Sequence, residues 1–148
     1  MSSSRRLFSS EKKEYVLDSI CISSHNKVMK WEIIFYEAFE ADFDELNVIV
    51  QDECFAHLKL LEKFGPNLKR PHVDTLNGSK HSNMKEIRFN ADNGVWRLAF
   101  AFDPDRHAIL LVCGDKSGTS QKRFYKDLIK KADNRFDKHL SEQSRRSE

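Results

Sequence analysis

Between Met84 and Gly114 the chain leaves little choice of fold. "MKEIRFN", "VWRLAFAF" and "HAILLVCG" are three apolar-rich runs joined by "ADNG" and "DPDR". Both joints carry turn chemistry, so the pattern predicts strands over about 84–90, 94–103 and 107–114 in consecutive antiparallel hairpins. "LLVCG" is apolar at every position, which predicts a central strand covered on both faces. Alternation in the middle strand puts Trp96, Leu98, Phe100 and Phe102 on one face, and Val95, Arg97, Ala99 and Ala101 on the other. The large apolar set must face packed helices. In the preceding strand Ile87 and Phe89 join it, which sends Arg88 and Glu86 to the face of Arg97. Two arginines among alanines on one side of a sheet need a reason.

The flanks supply the helices. "KWEIIFY", from Lys30, is rich in β-branched and aromatic residues and predicts a strand. "EAFEADFDEL" repeats Phe39, Phe43 and Leu46 at helical spacing, and "VIVQDECFAHLKLLEKFGP" places Cys54, Leu58 and Leu61 on one face. Gly65-Pro66 stops that helix. "NLKRPHVDTLNGSKHSN" is polar, with Pro71 and Gly78, and is expected to be mostly loop. "SQKRFYKDLIKKADNRFDKHL" predicts a last helix with Phe124, Leu128, Ile129, Ala132 and Phe136 on its buried face. The expected order is β-α-α-β-β-β-α: an α+β domain, with helices packed on one face of a mostly antiparallel sheet. Residues 1–28 are rich in Ser and charge, with one short apolar patch, "YVLDSICI". They are expected to be a poorly ordered extension, with Met29 a candidate start, residues 29–141 the domain and 142–148 a polar tail.

At 148 residues with 11 Phe the chain suits one domain with one modest core. A formal net charge of +2 names no partner, but its distribution is uneven. From Glu37 to Glu53 there are seven acidic residues and no basic one; from Lys59 to Arg88 the balance turns basic, including Lys69, Arg70, Lys80 and Lys85. One side of such a molecule can bind a polyanion that the other repels. The three cysteines, Cys21, Cys54 and Cys113, form no C-x-x-C pair and fit a reducing cytosol. No apolar run approaches the ~20 residues of a membrane span. His57, His72, His81 and His107 lack short ligand spacing, so neither a metal site nor a cofactor is expected.

The segments "GSKHSNMKEIR", "VWRLAFAFDPDRHAILLVCGDKSG", "RFYKDLIKKAD" and "DKHL", in that order, resemble the RelE/HigB superfamily of bacterial toxins, especially its phage-derived HigB-like subgroup. The likeness covers about residues 30–140. It implies the RelE-like fold, a toxin of a type II toxin–antitoxin module, a HigA-like helix-turn-helix antitoxin as partner, and cleavage of mRNA on the ribosome in the bacterial cytoplasm. By position, Arg97 corresponds to an active-site arginine of the family and Arg88 to the arginine closing the strand before it. Lys116 falls where relatives carry a basic residue after the last strand. Tyr125 lies near a functional tyrosine of some relatives at a different spacing. Where some relatives have a histidine cluster near the C-terminus, this chain has "RFYKDL" and only the distant His139.

The residues themselves fit that chemistry. RNA is cut when its own 2′-hydroxyl attacks the adjacent phosphate, which requires stabilised phosphate charge, a proton acceptor and a proton donor. Arg97 and Arg88 offer forked donors for the phosphate. Lys116 or Lys85 can neutralise the leaving oxygen, and Glu86, Asp115 and His81 are candidate bases. Two plainer readings stand beside these: an ion pair of Arg97 with Glu86, and a strand-end Lys85 that snorkels. The alternative function is a non-enzymatic protein of the same fold that obstructs another target or only binds its antitoxin.

Overall fold

The computed structural model describes residues 7–8 and 30–146. The apolar patch "YVLDSICI" and the rest of the N-terminal extension lie outside the described residues. Six strands form one sheet: β1 (Leu7–Phe8), β2 (Glu32–Phe35), β3 (Val73–Thr75), β4 (Met84–Ala91), β5 (Gly94–Phe102) and β6 (His107–Asp115), in spatial order β1-β2-β6-β5-β4-β3. Among the described strands only the β2–β6 pair is parallel. Among the described residues the helices are α1 (Glu37–Asp44), α2 (Val48–Phe64) and α3 (Gln121–Arg146). The class is therefore α+β with a mostly antiparallel sheet, consistent with the RelE-like fold.

Local sequence explains the boundaries. Asn47 caps α2, its side-chain oxygen accepting from the Ile49 N–H at 2.8 Å, which breaks the helical run after Asp44 and leaves Leu46 only half-buried. Gly65 ends α2 with φ +52° and Pro66 follows. The segment expected to be loop contributes β3, three residues paired with Glu86 and its neighbours on β4 and too short to show a period. Helix α3 runs on to Arg146, through most of the expected tail, because Gln143 reaches back to the β5–β6 turn.

Register settles what each face carries. Pairing aligns Ile87 with Leu98 and Phe89 with Trp96, and Phe100 with Leu110. Ile33 and Phe35 of β2 share that face through Ala108 and Leu110. Helices α1 and α2 cover it, with Phe35 stacked on Phe39 at 5.5 Å and edge-on to Phe43 at 5.2 Å, and His57 beside Phe89 at 5.6 Å. The core so formed includes Cys54, Leu58 and Leu61, all but fully buried.

The opposite face is not open. Helix α3 lies across it, burying Leu128, Ala132 and Phe136, while Arg135 donates to the Leu111 carbonyl at 2.7 Å. The expectation of all helices on one face thus holds for α1 and α2 and not for α3. Ala99 and Ala101 are fully buried, and a Cβ on Gly114 would sit 3.0 Å from the Phe124 ring. Small residues line this face because a helix rests on it.

The β5–β6 turn is locked to the end of α3 by Asp103. Its Oδ1 accepts from the Asp105 and His107 N–H groups at 2.9 and 3.0 Å, and its Oδ2 from His107 Nδ1 at 2.9 Å and Gln143 Nε2 at 3.0 Å. Burial alone would push this carboxyl up, but the hydrogen bonds from the His107 side chain and backbone outweigh it and hold the group below its ordinary value. A folded-state value below the unfolded one gives stability that is complete above the unfolded carboxylate range, about 3.9, and is lost as pH falls through the folded value. Denaturation midpoints followed from pH 5 to pH 2 should therefore fall for the wild type. Asp103→Asn should be less stable at neutral pH by roughly 1–3 kcal/mol and show a flatter acid limb. An equally steep limb in the variant would assign the acid sensitivity to other carboxylates.

Candidate functional site

Arg88 and Arg97 sit directly opposite each other in the β4–β5 register, with Gly114 opposite Arg97 on β6. Like charges so placed repel. Glu86, two residues before Arg88, sits between them: its Oε1 is 3.8 Å from Arg97 Nε and its Oε2 is 3.9 Å from Arg88 Nε. Tyr125 comes down from the second turn of α3 and completes the group. Its hydroxyl donates to Glu86 Oε1 at 2.8 Å and accepts from Arg97 Nε at 3.0 Å, while Arg97 Nη1 donates to the Trp96 carbonyl at 2.9 Å.

Exposure divides this cluster into two layers. Arg97 and Glu86 are 6% and 5% exposed, whereas the Arg88 side chain is 33% exposed and Tyr125 is half-buried. Arg97 therefore does not project from an open cationic surface, as its small neighbours suggested; it lies under Tyr125. The Arg88 guanidinium stands 3.7 Å from Asp74 and makes no side-chain hydrogen bond among the described residues. Asp74 is instead taken by Arg70, at 3.0 and 2.6 Å, and that hydrogen bond holds its carboxyl low.

Burial pushes the Glu86 carboxyl up, against the lowering by the Tyr125 hydrogen bond and by the Arg97 and Arg88 charges. The Tyr125 phenol is pushed above its ordinary value, first by burial and then by its bond to Glu86. At neutral pH it is a protonated donor, with a carboxyl oxygen to orient it and a fixed cation to receive charge if the proton leaves. Chemically, such a group can give a proton beside a cationic fork able to hold phosphate oxygens.

The other candidates take no part in this hydrogen-bonded cluster. Lys116, just past β6, donates its N–H to the Val95 carbonyl at 2.8 Å and its Nζ to Gln121 at the start of α3, at 3.2 Å. Asp115 is committed to its turn, accepting from Val95, the Ser117 N–H and the Ser117 hydroxyl; burial raises its carboxyl but these bonds bring it low. Lys85 points to the α1–α2 face and donates to Thr75 at 3.1 Å. His81 is at the far end of β4, bonded to Asp137 at 2.8 Å and edge-on to Phe136. Asp137 lies twelve residues beyond Tyr125 on α3, about 18 Å along the helix. His81 and Asp115 are thus poor bases for chemistry at Arg88.

Asp103, Asp105 and His107 offer ligand atoms within 4.8 Å of one another. The lone pairs of Asp103 are already taken by the turn and by Gln143, so this cluster reads as a clamp before a metal site. The sequence pointed to neither Asp74 nor the shared Tyr125 contact, since both depend on which elements meet across the sheet.

Residues 41–137 match the family described as phage-derived protein Gp49-like. Two proteins of Mycobacterium tuberculosis (strain ATCC 25618 / H37Rv), named as candidate toxins, are similar to this chain. HigB2 is 45% identical over 89 residues, 60% of this chain and 44% of that protein. HigB3 is 42% identical over 109 residues, 74% of this chain and 93% of that protein. The chain thus spans less than half of the first relative and nearly all of the second. No solved structure matches significantly. With most of its length in the family match, and two-fifths identity across a whole relative, the chain belongs to the phage-derived Gp49-like family, in its HigB-like branch.

Proposed function

We propose that the protein is the toxin of a type II toxin–antitoxin module and inhibits translation by cutting mRNA, with the ribosome presenting the substrate. The observation that carries this reading is the Tyr125 hydroxyl held between Arg97 Nε and Glu86 Oε1, behind the half-exposed fork of Arg88. In this scheme Arg88 binds the scissile phosphate and stabilises its extra charge as the 2′-hydroxyl attacks. Tyr125 gives its proton to the leaving 5′-oxygen. Arg97 acts through Tyr125 as a positioning residue, holding the phenolate that remains, and Glu86 orients the phenol. Lys116 lies at the rim, where it can meet the next phosphate. The 2′-hydroxyl proton leaves to water. The names of the two mycobacterial relatives support a toxin, and a toxin of this kind requires a neutralising partner, here a HigA-like helix-turn-helix antitoxin. Among the described residues no helix is long and apolar enough to cross a membrane.

A second reading has one observation in its favour. With Arg97 only 6% exposed, its contacts with Tyr125 and Glu86 can serve the fold alone. The protein would then bind its target without cutting it. Purified protein added to ribosomes translating a defined mRNA separates the two. New mRNA ends are expected with translating ribosomes, none with mRNA alone, and co-expression of the neighbouring antitoxin should restore growth and co-purify. Stalled translation with the mRNA intact would favour the second reading.

A further inference from the structure

The first eleven residues of α3, Gln121–Lys131, carry five cations, Lys122, Arg123, Lys126, Lys130 and Lys131, against one acid, Asp127, a net charge of 5 − 1 = +4. The whole chain is only +2, so the rest sums to −2 and the charge is strongly polarised. All five are exposed, and among the described residues none makes an ion pair. Their placement works against folding. The first turn of α3 has no acidic residue, so cations stand at the positive end of the helix dipole. Lys122, Lys126 and Lys130 follow one another at i, i+4, where like charges repel. By contrast, α1 opens with Glu37 and Glu40, as the dipole prefers.

Charge held where the free protein gains nothing from it implies an anionic partner. We propose that this ridge is a docking surface for the phosphate backbone of folded RNA, distinct from the cluster under Tyr125 that would meet the scissile phosphate. The nature of the polyanion rests on the RNA-cleaving reading; its place rests on the ridge alone. Two observations favour RNA over an acidic protein. The exposed residues of the ridge include no apolar or aromatic side chain, while the core of a protein interface is rich in both. Among the described residues the large exposed apolar side chains, Val48, Ile49 and Phe64, all lie on α2, across the sheet. Phosphates need only cations, and the i, i+4 spacing sets these about 6 Å apart along the helix. The ridge is also continuous with Lys116, whose Nζ donates to Gln121 at the head of the same helix.

The test uses the full chain and a fluorescent hairpin RNA with a duplex stem. Binding is measured by anisotropy across salt, for wild type, for Lys126→Gln/Lys130→Gln/Lys131→Gln, and for Lys63→Gln on α2 as control. The triple variant should bind about tenfold or more weakly, and its log–log salt slope should be shallower by up to about two to three; Lys63→Gln should match wild type. Relieved of repulsion, the triple variant should also melt higher. An unchanged affinity and slope would overturn the proposal. So would affinity lost only for the antitoxin, which would make the ridge a protein interface. The readout is binding, so it stays decisive even if the protein cuts nothing. Conversely, loss of cleavage in a Tyr125 variant that binds the hairpin normally leaves the ridge in place.

Discussion

Tyr125→Phe should slow RNA cleavage by about a hundred- to ten-thousandfold, the span over which a positioned proton donor contributes, in a protein that still folds. The phenol hydrogen-bonds both buried partners, Arg97 Nε at 3.0 Å and Glu86 Oε1 at 2.8 Å. Phenylalanine keeps the ring and its packing and removes only the hydroxyl. The stability cost should be roughly 1–3 kcal/mol, as Glu86 and Arg97 each lose one hydrogen-bonding partner. A structural role alone would move stability and leave the rate. Arg97→Ala extends the test through the pH profile. The Arg97 hydrogen bond and charge lower the phenol's pKa against burial and Glu86, which raise it. Removing them makes Tyr125 a weaker acid, so the rate should fall and the alkaline limb should move to higher pH. Circular dichroism must show both variants folded, and mapped mRNA ends give the rate. A folded Tyr125→Phe protein cutting at wild-type speed would falsify the assignment and leave the Arg97 contacts to the fold.

The faces of the sheet were legible from alternation alone. Arg88, Glu86 and Arg97 do project together, and the strands begin and end within a residue or two of where the turns placed them. What alternation cannot say is what lies over a face. Alanines at 99 and 101 are equally compatible with an open shelf and with a helix pressed close. The discriminating signal is Gly114, paired with Arg97 and packed on Phe124, since a glycine within a strand marks a close neighbour. Periodicity showed that α3 has a buried stripe, but a stripe does not choose between two faces. Tyr125 could be named as a residue of interest; its role as the bridge between Glu86 and Arg97 required the docking of α3. Asp103 escaped notice for a related reason. In "DPDR" it reads as a turn residue, and the bond that makes it a clamp comes from Gln143, forty residues on. Long-range polar contacts of this kind have no local pattern.

Gly65→Ala should be among the most destabilising single changes in the molecule, costing roughly 3–5 kcal/mol from two independent causes. The first is backbone. Gly65 has φ +52° and ψ −133°, a region that a side chain makes strained, at about 1–3 kcal/mol. The second is space. A Cβ there would overlap the Trp31 indole, meeting Cδ1 and Nε1 and coming within 2.9 Å of Cγ. Trp31 cannot retreat cheaply. Its ring is edge-on to Phe102 at 4.9 Å and capped by the Arg106 guanidinium at 4.7 Å, while its backbone N–H donates to the Glu62 carbonyl at 3.1 Å. The indole thus ties the end of α2 to the start of β2, and β2 carries Ile33 and Phe35 into the core. A domain of this size has about 5–15 kcal/mol in hand, so the loss is a large share of the whole. Gly65→Ala/Trp31→Ala tests the steric half. If overlap dominates, the double variant should recover part of the deficit relative to the sum of the single changes; if strain dominates, the losses should add. Urea melts of the four proteins supply the comparison, and a Gly65→Ala midpoint equal to wild type would show that the turn after α2 rearranges freely.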